Sequence, residues 1–176
     1  MQKIKIISIF FLLFLFQNIY AQTEKIIIDK ESEYYLQIDK DNCLKIIISD
    51  SSNKTSKIIY FYKNTRDNSF LYIGSMESIS LEVGDYGEGL QFIYKSNNFI
   101  VIQQSFGIGR NLIISRLYLD FENENTIKLI KYTEEYINRF DIDKDFTEIE
   151  YEIPNNIYLN DITSDFVYNL HQSKNQ

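Results

Sequence analysis

Of its 176 residues this chain has no tryptophan, one histidine, one cysteine, one proline and six glycines. Each shortage removes a class of protein. The only histidine, His171, stands near the end of the chain, which argues against hydrolytic triads and against zinc sites built on histidine. It reads as a polar residue on the last turn of a terminal helix, where a partial positive charge suits the helix dipole. One cysteine cannot close an internal disulfide. Cys43 therefore reads as a small buried hydrophobe or as a thiol paired with another chain, and stability has to come from the core. Alanine is nearly absent too, and with it the strongest helix former. Basic residues are outnumbered, 18 Lys and Arg against 25 Asp and Glu, so nucleic acid and anionic lipid are poor partners.

What is present begins with a leader. Lys3 and Lys5 precede the apolar run Ile6 to Phe16, and Ile19-Tyr20-Ala21 offers a small residue for cleavage. The run is too short to span a bilayer, which takes about 20 apolar residues, and no later segment reaches that length. The sequence thus predicts a signal peptide over 1–21 and one mature domain over 22–176, periplasmic or secreted, with no membrane span after cleavage. Cleavage removes two lysines and no acid. The mature chain then carries 16 basic against 25 acidic residues, a net charge of −9 where the full chain has −7. Solubility alone accounts for such acidity. A domain of about 155 residues buries roughly two-thirds of its unfolded surface, enough to fold without disulfides.

Isoleucine is abundant, and the 14 Tyr and 13 Phe add to a strand-favouring composition. Short apolar or alternating runs recur between polar turns. They are Lys25 to Asp29, Tyr34 to Asp39, Leu44 to Ser49, Lys57 to Lys63, Phe70 to Gly74, Ser78 to Val83, Leu90 to Lys95, Phe99 to Phe106, Leu112 to Phe121, Ile127 to Tyr136 and Glu148 to Ile153. In Ile149-Glu150-Tyr151-Glu152-Ile153 the two periods separate cleanly, apolar on one face and acidic on the other. Phe99 to Ile102 is apolar on both faces, as a central strand is. Ser96-Asn97-Asn98 and Glu122-Asn123-Glu124-Asn125 read as hairpin turns, and with Gly107-Ile108-Gly109 they predict a four-strand meander from Leu90 to Tyr136. In the tail, Ile162, Phe166 and Leu170 recur four apart, so a short amphipathic helix follows, capped by Asn160 or Ser164. The fold class expected is mainly β: an antiparallel sandwich, barrel or meander of about 9–11 strands with a short C-terminal helix.

The most specific chemical pattern is Asp141-Ile142-Asp143-Lys144-Asp145 with Glu152 at the twelfth position, the spacing of oxygen ligands in a calcium loop. Asp141, Asp143, Asp145 and Glu152 are the metal ligands to be considered and calcium the one cofactor. Phe146 stands where such a loop needs glycine, and Glu152 belongs to an alternating strand, so a solvated acidic turn is the competing reading. Asp39-Lys40-Asp41-Asn42 reads as an ordinary turn. Gly84-Asp85-Tyr86-Gly87-Glu88-Gly89 lacks the lysine and the following helix of a phosphate loop, and reads as a flexible connection between strands. Asp and Glu are plentiful enough for a carboxylate-pair glycosidase, although no pair stands out.

From Gly84 the chain runs through an acidic glycine turn, Leu90-Gln91-Phe92-Ile93-Tyr94-Lys95, Asn97-Asn98-Phe99-Ile100-Val101-Ile102, a second glycine turn and the long strand from Leu112. Over about residues 84–136 this resembles a segment of uncharacterised exported β-rich bacterial proteins. The resemblance implies export and β structure and brings no catalytic residues. The function expected is an exported, non-catalytic binding or interaction protein of the cell envelope or exterior, whose partner is an unknown protein or envelope component. The alternatives are a carboxylate-based hydrolase acting on envelope material and an inhibitor or immunity-type protein that sets its acidity against a basic target.

Overall fold

The structure is a computed structural model that describes residues 25–27, 32–52, 54–79, 86–123, 126–138, 140–141 and 147–173. The predicted signal peptide lies outside them. Among the described residues ten strands form: β1 (Lys25–Ile27), β2 (Ser32–Gln37), β3 (Cys43–Asp50), β4 (Lys57–Asn64), β5 (Phe70–Glu77), β6 (Tyr86–Ser96), β7 (Phe99–Ile108), β8 (Asn111–Asn123), β9 (Thr126–Asn138) and β10 (Thr147–Tyr151). A 3-10 turn at Leu159–Asp161 and a helix, α1 (Ser164–Ser173), complete the described residues.

Every described pairing is antiparallel. Six strands run in the order β1-β6-β7-β8-β9-β10 and four in the order β2-β3-β4-β5, and neither sheet closes into a barrel. The described strands thus begin at the edge of the large sheet with β1, build the small sheet as a meander and return to complete the large one. The predicted meander from Leu90 to Tyr136 is β6 to β9. Its first turn sits at Asn97, in the left-handed region at φ 54°, as a two-residue hairpin turn demands.

The alternation read in the sequence places the core. Leu44, Ile46 and Ile48 of β3 and Ile59 and Phe61 of β4 are buried on the inner face of the small sheet. Ile93, Ile102, Ile113, Leu117 and Leu119 do the same in the large sheet, and all belong to one cluster shared by both sheets. Each such side chain contributes about 1.5–3 kcal/mol of hydrophobic stabilisation. In β7, Ile100, Val101 and Ile102 are all buried, matching its place inside the sheet.

Four local expectations are corrected. Of the strand expected over Ser78 to Val83, Ser78 and Ile79 lie outside any strand and 80–83 lie outside the described residues; β5 instead runs on through Ser75 to Glu77, carried past a bulge opposite Phe61 and Tyr62. Tyr86 to Gly89 are part of β6 rather than a loop, with Gly89 at φ 65° where the register shifts; Gly84 and Asp85 lie outside the described residues. The helix cap is Thr163, whose Oγ1 accepts from Phe166 N at 3.1 Å, while Ser164 N is taken by Glu77 Oε2 at 3.2 Å. Cys43 is half-buried rather than sunk in the core, because its side chain falls on the outer face of β3, where Sγ lies 3.8 Å from Leu44 O.

Candidate functional site

The strongest polar constellation is interior. On β9 the residues Tyr132, Glu134 and Tyr136 are two apart and so share the inner face of the sheet. Tyr151 stands opposite Tyr132 across the β9–β10 pair, and α1 brings His171 down onto the same spot. Glu134 has no exposed surface and His171 retains 2%. Every donor converges on the one carboxylate. Tyr132 OH donates to Oε1 at 2.6 Å, and Tyr136 OH and Tyr151 OH donate to Oε2 at 2.7 and 2.6 Å. His171 Nδ1 lies 3.1 Å from Oε1 and 3.0 Å from Oε2. An ionised carboxylate only accepts, so that ring nitrogen carries a proton.

The electrostatics follow from burial set against hydrogen bonding. Desolvation pushes the Glu134 carboxyl up, but bonds from His171, Tyr132, Tyr151 and Tyr136 together hold it below the usual carboxylate range. Burial raises the tyrosines, and donation to the carboxylate raises them further. Tyr136 is pushed up to about 12, with Tyr151 and Tyr132 also raised. Phe106 closes the site edge-on against the imidazole at 5.2 Å between centroids. Such an arrangement holds α1 to β9 and β10. Its carboxylate has all its lone pairs engaged and offers no face to a substrate. His171 does stand on the last helical turn, as expected, but as a buried partner of Glu134 rather than a solvated side chain.

The sequence-predicted metal ligands fall differently. Asp143 and Asp145 lie outside the described residues, as does Phe146. Asp141 is half-buried, with its N–H bonded to Asn138 O at 3.1 Å, and Glu152 is exposed just beyond β10. The Asp39 turn is an ordinary turn, as read: its carboxylate accepts from Asp41 N, Asn42 N and Asn42 Nδ2 at 2.9, 2.9 and 2.8 Å.

A second constellation faces outward, on the side of the small sheet turned away from the core. The register aligns Tyr35, Lys45, Tyr62 and Tyr72 in one row across β2, β3, β4 and β5. Tyr35 and Tyr72 are 50% and 47% exposed. Tyr35 meets Phe70 edge-on at 5.7 Å and Tyr62 meets Tyr72 at 5.5 Å, so the rings form one aromatic strip. Lys45 bridges to Glu33 at 2.7 Å within the same face and lies over the Phe70 ring. No family model, curated protein or solved structure matches this chain.

At one end of the small sheet, the β2–β3 and β4–β5 turns frame an open cleft of about 770 Å³ whose lining includes Asp41, Asn64, Arg66 and Leu71. Asn64 ties the turns together, accepting from Cys43 N at 2.8 Å and donating to Asp41 O at 3.1 Å. The β4–β5 turn closes on itself, with Thr65 N bonded to Ser69 O at 2.9 Å and Asn68 at φ 62°. Neither the strip nor the cleft follows from alternation alone, since it takes strand order to set the tyrosines of four strands side by side.

Proposed function

We propose that this chain is an exported, non-catalytic binding protein that engages a glycan of the cell envelope or exterior on the outer face of the small sheet. The observation that carries the reading is the exposed aromatic row Tyr35, Tyr62 and Tyr72, with Phe70 against it. A sugar ring has an apolar C–H face and a rim of hydroxyls, and a tyrosine answers both with an apolar body and a polar tip. Local charge favours a glycan over a basic protein. Glu33, on the edge strand β2 of this face, is matched by Lys45. Interfaces that rely on charge have it at the contact. Support for a non-catalytic role comes from the buried Glu134 and His171, which are spent on holding the helix.

Affinity electrophoresis of the purified protein through gels carrying defined envelope polysaccharides tests this. Retardation by at least one polymer is expected, and Tyr35→Thr with Tyr72→Thr should weaken it by about tenfold or more, equivalent to about 1.4 kcal/mol. Unchanged mobility in every gel, or retention that survives the double substitution, would sink the reading. So would a partner that proves to be a basic protein displaced by salt.

A further inference from the structure

The outer edge of the small sheet is open, and we infer that a second copy of this chain closes it, β2 adding to β2 antiparallel about a two-fold axis at Tyr35. β2 pairs with β3 in an unbroken register from Ser32 to Gln37, and among the described residues no strand pairs with its other side. Ile38 N bonds to Asn42 O at 2.9 Å, which fixes the phase of the ladder. Alternate residues of an antiparallel strand turn their backbone groups toward one neighbour and then the other, so Leu36 and Tyr34 face β3. Glu33, Tyr35 and Gln37 direct their N–H and C=O groups outward. The opposite edge of the same sheet is treated differently. On β5, Ser75 N bonds to Asn160 Oδ1 at 3.0 Å and Glu77 N to Ile162 O at 2.8 Å, so the tail of the chain covers it. β2 has none of the devices that keep an edge from pairing. Its sequence, Ser-Glu-Tyr-Tyr-Leu-Gln, holds no proline, glycine or lysine, and its register carries no bulge.

What fits such an edge is another strand, and β2 is complementary to itself. With Tyr35 opposite the partner's Tyr35, Glu33 falls opposite the partner's Gln37 and Gln37 opposite the partner's Glu33. These three pairs exchange two hydrogen bonds each, which engages every outward group of both strands. On the inner face Tyr34 meets the partner's Leu36, an aromatic–aliphatic pair. Each copy is net acidic, so a two-fold contact has to keep carboxylates apart, and here the one charge of the strand faces an amide. Centring the pair on Glu33 would set two carboxylates together, and centring it on Tyr34 or Leu36 leaves fewer facing pairs, so the register is specified. The aromatic row would then run on through both Tyr35 rings into the partner copy. The inference itself stands on the backbone edge and is independent of the glycan reading.

Sedimentation velocity of the purified protein should show a monomer–dimer equilibrium. Gln37→Glu sets a carboxylate opposite Glu33 on both sides of the axis and should weaken the dimer about tenfold. Gln37→Lys gives up the same bonds from the amide to Asp39 O and Asn42 O, yet puts an ammonium opposite Glu33, and should hold or tighten it. The register is read by cross-linking in a Cys43→Ser background. Tyr35→Cys should oxidise to a covalent dimer, whereas Glu33→Cys should not, because its mate lies about 13 Å away along the strands. A protein that stays monomeric up to about 1 mM, a dimer that both Gln37 variants alter equally, or cross-linking no better at Tyr35→Cys than at Glu33→Cys overturns the inference. Each of these results leaves the glycan reading as it was.

Discussion

Glu134 shows how a single position can matter more than its surroundings suggest. A carboxylate with no exposed surface would be costly alone, yet here three phenolic hydroxyls and one imidazole N–H replace the lost water. Glu134→Gln keeps the shape but takes away the charge those donors answer, and turns one acceptor oxygen into an NH2 facing other donors. Urea unfolding should show a loss of about 3 kcal/mol, in the range for breaking a buried charged pair from one side. A loss under about 1 kcal/mol would mean that the cluster adds little. In the sequence, Glu134 and Glu135 are indistinguishable neighbours. Strict alternation from Ile127 and Leu129 would send Thr133 and Glu135 inward. The structure inserts a bulge at Ile130, between the pairs Leu119 with Leu129 and Tyr118 with Lys131, and one extra residue reverses the faces of all that follows. Tyr132, Glu134 and Tyr136 turn inward for that reason, and no local rule announces the bulge.

At the scale of elements the sequence was more legible. Apolar period and turn chemistry located β2 to β4 and β6 to β10 to within a few residues, because hairpin turns at asparagine and glycine demand backbone shapes that other residues resist. The failures are tertiary. Ser78 and Ile79 look like a strand start, yet Ser78 N still bonds back to Lys57 O of β4 and Ile79 N turns to the Gln104 side chain of β7 at 2.6 Å, so the chain passes from the small sheet toward the large one there. The helix was found from its spacing, but its first turn is finished by Glu77 of β5, a partner 87 residues away. Packing at that junction is close. A Cβ on Gly74 would meet Leu159 Cδ1 at 3.1 Å and Leu159 Cβ at 3.2 Å, both in the 3-10 turn that leads into α1. Gly74→Ala should therefore push that turn off β5 and cost about 1–3 kcal/mol, as overpacking does. Thermal unfolding would read the cost, and hydrogen exchange should quicken first in Leu159 to Leu170. Exchange that quickens evenly over both sheets would place the strain elsewhere.

For the whole molecule, the buried cluster sets the pH range of the fold at both ends. On the acid side the Glu134 carboxyl sits lower in the folded protein than in the unfolded chain. Its contribution is present above the ordinary carboxylate value of about 4.3 and is lost as pH falls through the folded value. Surface charge works the other way at first. The protein carries −7 at neutrality with an isoelectric point near 4.8, so acidification toward that point relieves repulsion before the cluster begins to fail. On the alkaline side the sign reverses. A tyrosine raised by burial is held neutral in the fold, so its contribution is complete below about 10, the unfolded value, and disappears as pH climbs through the folded value, about 12 for Tyr136. Urea midpoints measured from pH 3 to 12 should therefore hold or rise slightly from 7 to 5, fall below about 4.5, and fall again above about 10. Two variants separate the cluster from the general charge. Glu134→Gln should abolish most of the acid fall, having no carboxyl to protonate, and Tyr136→Phe should lessen the alkaline slope while leaving the acid limb in place. If both variants follow the unaltered protein at every pH once their midpoints are aligned, surface charge alone governs the profile and the cluster has no part in it.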